Sequence, residues 1–307
     1  MKNRVLVIAE AGVNHNGSLK MAKKLVDAAK FAGADIVKFQ TFKASSLATT
    51  KAPKAKYQIL KKKKKENQFE MLKKLELKYD YHLDLIKYCK VKNIEFLSSA
   101  FDLSDLIFLK KLKLKRFKIP SGEITNYLYL KKIGSFKKKI ILSTGMSNLK
   151  EINKALSIIC KNGVKKNQIT LLHCTSEYPA TIDGLNLNAI NTLKNKFNLN
   201  IGYSDHTTNY ITAVAAVALG AKIIEKHLTL DNDLSGPDHK SSLNPQDFKS
   251  MVKFIRLTEK SLGNGIKIPN RYEKKNIKIV RKSIVAKYHI RKGEKFSIEN
   301  LSFKRPG

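Results

Sequence analysis

Two histidines, His206 in SDHT and His227 in EKHLT, each follow a short apolar run, and the two runs read as neighbouring strands. Neutral imidazoles at adjacent strand ends can converge on one divalent ion such as Mn²⁺, Fe²⁺ or Zn²⁺. Asp205, Glu225 and Asp238 lie nearby as further ligands or as groups that orient the rings. His173 in HCT ends the preceding strand and also reads as a hydrogen-bonded packing residue. A second chemistry accompanies the first. Lys38 in KFQTF shares a face with Gln40, because strand side chains alternate. A lysine at the end of a buried strand is costly unless it meets an anion, which points to a phosphate or carboxylate ligand. Lys118 in FKIPSGE repeats the arrangement, with Ser121 and Gly122 as hydroxyl and backbone donors. Ser143 and Thr144 in STGM add another donor set, and Glu10 and Glu123 are candidate proton-transfer or hydroxyl-orienting carboxylates. Asn14, His15 and Asn16 are expected to shape the first loop.

These residues all sit at the ends of strand-like runs, at Val5 to Ala9, Ile36 to Phe39, Ile94 to Leu97, Phe117 to Ile119, Ile140 to Leu142, Ile169 to Leu172, Ile201 to Tyr203 and Lys222 to Ile224. Amphipathic helical segments follow each run, and several close on Gly33, Gly163, Gly220 or Gly263, as left-handed C-caps do. Eight β-α units with their chemistry on one rim describe an α/β protein, a (β/α)8 TIM barrel over residues 1–263. No G-x-G-x-x-G follows the first strand, which disfavours a doubly wound open sheet.

Two stretches break the repeat. Lys43 to Tyr79 is long for a barrel loop, with a predicted helix over Phe69 to Leu77 that could lie across the rim as a lid. Residues 264–277 read as a linker. Residues 278–307 alternate like short strands around a Lys-Gly-Glu turn, too few to build a core of their own.

At 307 residues and 42% apolar composition the chain can bury a full core. It has no apolar run of about 18 residues, so no membrane span is expected. Glu10 interrupts the only N-terminal apolar stretch, unlike a secretory signal, and a cytoplasmic protein is expected. Cys89, Cys160 and Cys174 form no C-x-x-C pair and suit a reducing compartment. The net charge of +35 comes from lysines spread along every helix, with the densest run at Lys61 to Lys65. No RRM, zinc-finger or helix-turn-helix pattern accompanies it, so no specific nucleic-acid partner is expected. The charge favours anionic substrates.

The segments AEAGVNHNG, KFQTFKA, KIPSGEITN, STGM, HCTSEYP, GYSDHT and EKHLTLDNDLSGPDH, in order from Ala9 to His239, carry a resemblance. The chain resembles bacterial N-acetylneuraminate (sialic acid) synthases and their relatives that make legionaminic and pseudaminic acids. The resemblance implies a TIM barrel that condenses phosphoenolpyruvate with an open-chain N-acetylhexosamine and releases phosphate. It implies a divalent metal, Mn²⁺ preferred with Mg²⁺ or Co²⁺ possible, and a domain-swapped homodimer. It also identifies the last residues as the beginning of a small antifreeze-like (SAF) domain that docks on the partner's barrel.

By the same resemblance, His206 and His227 match the metal ligands. Lys38, Ser99, Lys118, Ser121, Ser143 and Ser176 match the phosphoenolpyruvate cradle, and Glu10, Gln40, Tyr178, Glu225, Asp238 and Arg305 the sugar site. Glu123 and Glu10 are the expected catalytic carboxylates, with Glu123 beside the carbon that water attacks. Ser176 stands where some members carry Asn, and Leu228 where Phe is usual; both bear on which sugar is used. The expected activity is N-acetylneuraminate synthase acting on N-acetylmannosamine, since residues 44–58 and 186–194 look nearer to that branch. The alternatives are N,N'-diacetyllegionaminate synthase, using a 2,4-diacetamido-2,4,6-trideoxymannose, and an inactive anion-binding barrel.

Overall fold

Each apolar run becomes a strand: β1 (Leu6–Gly12), β2 (Ile36–Thr41), β3 (Glu95–Ala100), β4 (Arg116–Ile119), β5 (Lys139–Ser143), β6 (Ile169–Cys174), β7 (Asn200–Asp205) and β8 (Ile223–His227). They pair in parallel and in chain order, and β1 closes on β8 to complete the barrel. The computed structural model describes residues 4–54 and 66–305, so the lysine run at 61–65 lies outside the described residues.

Alternation divides the apolar residues of the strands into two cores. Ile8, Ile36, Leu97, Ile141, Leu172 and Ile223 point inward and fill the barrel. Val7, Ala9, Val37 and Phe39 point outward and pack beneath the helices in a larger cluster. Fully burying one such aliphatic side chain is worth about 1.5–3 kcal/mol. The inner layer leaves no room at Gly202, where a Cβ would stand 2.5 Å from the Ile223 carbonyl oxygen and 2.6 Å from Leu172.

The helices begin and end as their flanking residues dictate. In α1 (Leu19–Phe31) the Ser18 hydroxyl accepts from the Met21 amide, and in α5 (Leu103–Lys111) Asp102 accepts from Asp105. Asn148 and Glu151 form a reciprocal capping box on α7 (Leu149–Lys161). Gly33, Gly163 and Gly220 have φ of +81°, +114° and +97° just beyond helix ends. The remaining barrel helices are α4 (Tyr79–Val91), α6 (Tyr127–Gly134), α8 (Ala189–Phe197), α9 (Ile211–Ala218) and α10 (Pro245–Ser261).

The long segment after β2 carries α2 (Ala44–Leu47) and α3 (Gln68–Leu75), the latter started by an Asn67/Glu70 capping box. Met71, Leu72 and Leu75 of α3 pack with Val13, Phe42 and Ala44 in a satellite core at the rim. Among the described residues, no helix is long and apolar enough to cross a membrane.

The chain forms two compact units, Met1–Ser261 and Leu262–Gly307. The second contains α11 (Arg271–Val280) and an antiparallel pair, β9 (Ser283–Ala286) with β10 (Leu301–Lys304). This corrects the expected linker over 264–277, because a helix starts within it. Asn270 accepts from the Tyr272 and Glu273 amides while Glu273 accepts from the Asn270 amide, a capping signal that the low apolar content concealed. Ile284, Phe296, Ile298 and Phe303 remain exposed, as expected of a segment too short for a core.

One ion pair lies wholly on the outer face of the barrel. Asp205 and Lys226 are adjacent in the β7–β8 register, both are 0% exposed, and their charged atoms are 3.1 Å apart. Lys226 also donates to the carbonyls of Thr207 at 2.6 Å and Asn209 at 2.7 Å, so it ties the loop after His206 to β8. Removing one partner of such a pair leaves a buried, uncompensated charge. Lys226→Met should therefore destabilise the protein by about 3–5 kcal/mol in urea unfolding, far beyond the cost of a surface lysine substitution.

Candidate active site

Beyond the inner apolar layer, the next inward position of almost every strand is polar. Ile8 is followed by Glu10, Ile36 by Lys38, Leu97 by Ser99, Ile141 by Ser143 and Ile223 by Glu225. The strand register brings these residues side by side: Glu10 pairs with both Lys38 and His227, Ser99 with Lys118, and Ser204 with Glu225. They open into a cavity of 490 Å³ at the C-terminal end of the barrel. Its walls include Glu10, Lys38, Gln40, Ser99, Lys118, Ser121, Ser143, Ser176, Tyr178, His206, Glu225, His227 and Asp238. Glu123, on the barrel unit, is not among the wall residues.

Four buried charges form the floor. Lys38 Nζ lies 2.6 Å from Glu10 and 3.6 Å from Glu225, and Lys118 Nζ lies 3.5 Å from the other oxygen of Glu225. Burial opposes the charge on Lys38, but Glu10 and Glu225 outweigh it and hold its pKa above the ordinary lysine value. For Lys118 burial wins and lowers the pKa, despite Glu225. Glu225 is itself buried, yet Lys118 and Lys38 pull it down to about 2. Burial raises Glu10, with Lys38 acting against it and Glu225 adding to it. With all four ionised the charges balance.

Hydroxyls and one amide surround the lysines. Ser99 lies 3.2 Å from Lys38, Ser143 2.7 Å from Lys118, and Ser121 accepts from the Gly145 amide at 3.0 Å. A Cβ at Gly145 would stand 2.2 Å from Ser176 Oγ and 2.9 Å from Ser121 Oγ, so glycine lets this turn close onto the cradle. Thr144 does not join it, because its hydroxyl donates to the Leu172 carbonyl. Glu123 lies next to these wall residues in the chain. The short 3-10 turn Ser121–Glu123 puts Ser121 and Gly122 in the wall, while the Glu123 carboxylate accepts from Asn126 at 2.7 Å beside it.

The two imidazoles converge, with ring centres 5.6 Å apart, and Tyr178 stacks on His206 at 4.2 Å. His206 Nδ1 donates to the Thr175 carbonyl at 2.6 Å, which fixes the tautomer and leaves the Nε2 lone pair free. Ser204 stands 3.4 Å from that nitrogen but 3.0 Å from Glu225, the nearer acceptor for its single proton. Burial lowers the His206 pKa to about 4, and burial with His206 alongside lowers that of His227 further. Neutral nitrogens with free lone pairs suit a divalent cation. The buried Nδ1 of His227 has no hydrogen-bond partner, and Asp238 Oδ2 is 3.7 Å from it. Burial, with Glu10 nearby, pushes Asp238 up to about 7.

Asp205 is not part of this set. It is one residue from His206 and so faces outward to Lys226. His173 is likewise a packing residue, 2.7 Å from the Leu185 carbonyl. Among the described residues no group of three His, Cys, Asp or Glu is close enough to hold an ion unaided. Two histidines plus substrate or solvent oxygens is the set the site can offer.

Ser204, Cys174 and an apolar arc also line the cavity. The first two have a readable signal, since each is two residues from another inward position. The arc is assembled by tertiary packing and has none.

Lys38→Met should make stability fall more steeply than in the wild type as pH rises above the ordinary carboxylate value of 4.5. Without its lysine Glu10 holds its proton to higher pH in the folded state, and stability is lost while the unfolded chain alone has ionised. Urea unfolding across a pH series reads this directly.

A family model described as the NeuB family matches residues 25–267. The chain is 56% identical to an N,N'-diacetyllegionaminic acid synthase of Campylobacter jejuni, over 99% of this chain and 91% of that protein. It is 46% identical to the Legionella pneumophila protein of the same name, over 98% and 85% respectively. A crystal structure of N-acetylneuraminic acid synthetase from Leptospira borgpetersenii, in complex with citrate, superposes with a TM-score of 0.80 at 35% identity and 90% coverage of both chains. The barrel, its rim chemistry and these likenesses agree, and the chain belongs to the NeuB family of sialic and nonulosonic acid synthases.

Proposed function

We propose that this enzyme condenses phosphoenolpyruvate with 2,4-diacetamido-2,4,6-trideoxymannose to give N,N'-diacetyllegionaminate and phosphate. The observation that carries the reaction is the division of one cavity into a lysine and hydroxyl cradle around Lys38 and Lys118 and a carboxylate and imidazole side around Glu10, Asp238, His206 and His227. A trianion needs the first, and a polyhydroxylated aldehyde the second. The choice of sugar rests on the two relatives named for diacetyllegionaminic acid. They favour the alternative over the expected N-acetylneuraminate synthase, whose substrate would be N-acetylmannosamine. That second reading keeps the support of the Leptospira structure.

Lys38, Lys118, Ser99, Ser121, Ser143 and Ser176 would hold the phosphate and carboxylate of phosphoenolpyruvate, keeping the phosphate in place as a leaving group. Glu10, Gln40, Tyr178, Glu225 and Asp238 would hold and orient the sugar. His206 and His227 would hold a divalent ion, Mn²⁺ by preference, which supplies Lewis-acid polarisation of the aldehyde. Carbon 3 of phosphoenolpyruvate then attacks the aldehyde carbon, and the new alkoxide takes a proton. Asp238, pushed up to about 7, is suited to supply it. Water adds to carbon 2 and phosphate departs with the bridging oxygen. Glu10 is the cavity carboxylate best placed to accept the water proton, in preference to Glu123, which is bonded to Asn126 outside the wall.

Phosphate release should require phosphoenolpyruvate, the acetamido sugar and a divalent ion together. EDTA should abolish it and Mn²⁺ restore it, and His206→Ala or His227→Ala should each lower kcat by at least about 100-fold. The test is a phosphate-release assay with the diacetamido sugar and N-acetylmannosamine in parallel.

We propose further that residues 278–307 begin an antifreeze-like domain and that Arg305 serves the sugar site of the partner in a domain-swapped homodimer. Mixing Glu225→Gln with Arg305→Ala subunits under exchange should then regenerate one intact site per mixed dimer. Activity above that of either parent is expected, and recovery no better than the parents would contradict the swap.

A further inference from the structure

The cavity has an apolar side that the reaction does not use. Val13, Leu47, Met71, Leu72, Leu75 and Phe101 line it together. Five of them come from the loop after β1 and from α2 and α3, while Phe101 follows β3. Met71, Leu72, Leu75 and Val13 belong to the rim's satellite core, with Leu47 and Phe101 packed against it. They are thus fixed by packing against one another. On α3, Gln68 is the polar residue facing the cavity; Met71, Leu72 and Leu75 offer no donor or acceptor suited to a hydroxyl. The wall continues from the sugar side, since Val13 lies three residues beyond Glu10 and Leu47 lies beyond Gln40 on the same segment.

We infer that this wall is the specificity determinant of the sugar site, selecting a hexose that bears several methyl groups over one that bears hydroxyls at the same carbons. The inference rests on the reading that an acetamido hexose meets phosphoenolpyruvate in this cavity. N-acetylmannosamine carries one methyl group, in its acetamido substituent. The diacetamido trideoxy sugar carries three, two from acetamido groups and one at carbon 6. Each further methyl moved from water to an apolar wall is worth about fourfold, so two of them give about 15-fold. An apolar pocket rejects an added hydroxyl only to about 100-fold. The wall therefore sets a preference between these limits and leaves phosphoenolpyruvate binding alone.

The experiment is the ratio of kcat/KM for the two sugars, at saturating phosphoenolpyruvate and Mn²⁺, in the wild type, Met71→Gln, Met71→Leu and Leu47→Gln. The wild type should prefer the diacetamido trideoxy sugar by about 15- to 100-fold. Met71→Gln should shrink that ratio at least about fivefold with the KM for phosphoenolpyruvate unchanged, while Met71→Leu, which keeps the wall apolar, should retain it. Leu47→Gln, at the less buried edge of the wall, should shrink the ratio in the same direction and reads the same quantity if Met71→Gln fails to fold. A ratio unchanged in the glutamine variants, or lower activity on both sugars alike, overturns the assignment. If the wild type uses N-acetylmannosamine equally well or better, the wall does not select methyl groups, although the condensation reading stands. Turnover of neither sugar overturns that reading, and the wall assignment with it.

Discussion

Everything at the rim depends on keeping two lysines and two glutamates charged out of water. Each such charge would lose several kcal/mol of solvation if buried alone, so each of the four is offset by the others. Glu225 is the hub. Its two oxygens face different lysines, Lys38 at 3.6 Å and Lys118 at 3.5 Å, and Ser204 donates to it from the neighbouring strand. Lys38 joins the hub to Glu10 on the other side. The network spans β1, β2, β4 and β8, so a barrel that closes in any other register leaves bare charges inside. The closed barrel therefore holds these charged groups in place across four strands without a substrate.

The same alternation gives the outer face a different task. Along β8, Glu225 and His227 look into the cavity while Lys226, between them, meets Asp205 behind it. The reactive residues and the pair that anchors their loop are thus interleaved residue by residue. The chemistry stands on short, fully packed strands, and the adaptable part of the cavity is left to the helices inserted after β2.

Much of this was legible beforehand. The strand ends carried the polar signal, and the inward set followed from counting by two, which is why Lys38, Gln40, Lys118, His206 and His227 were found where expected. The departures from simple alternation have particular causes. Asp205 was grouped with the histidines by nearness in sequence, although alternation turns it away. Glu123 sits on a short 3-10 turn, where neither strand nor helix periodicity fixes direction. The helix at Arg271–Val280 is capped clearly but has few apolar residues, so its pattern resembled a linker. The apolar wall had no local signature at all, because Val13, Leu47, Met71 and Phe101 meet only when three separate segments fold over the rim. The branch expectation drawn from residues 44–58 and 186–194 differs from the names of the two similar synthases reported above, and part of the first segment lies outside the described residues.

The central claim is that the lysine cradle holds phosphate as a leaving group while water attacks carbon on the carboxylate side of the cavity. Running the condensation in water labelled with heavy oxygen and analysing both products by mass spectrometry tests it most directly. The account predicts that the label enters the nine-carbon acid and that the released phosphate carries none. Label in the phosphate would mean that water attacks phosphorus, and the division of the cavity proposed here would be wrong.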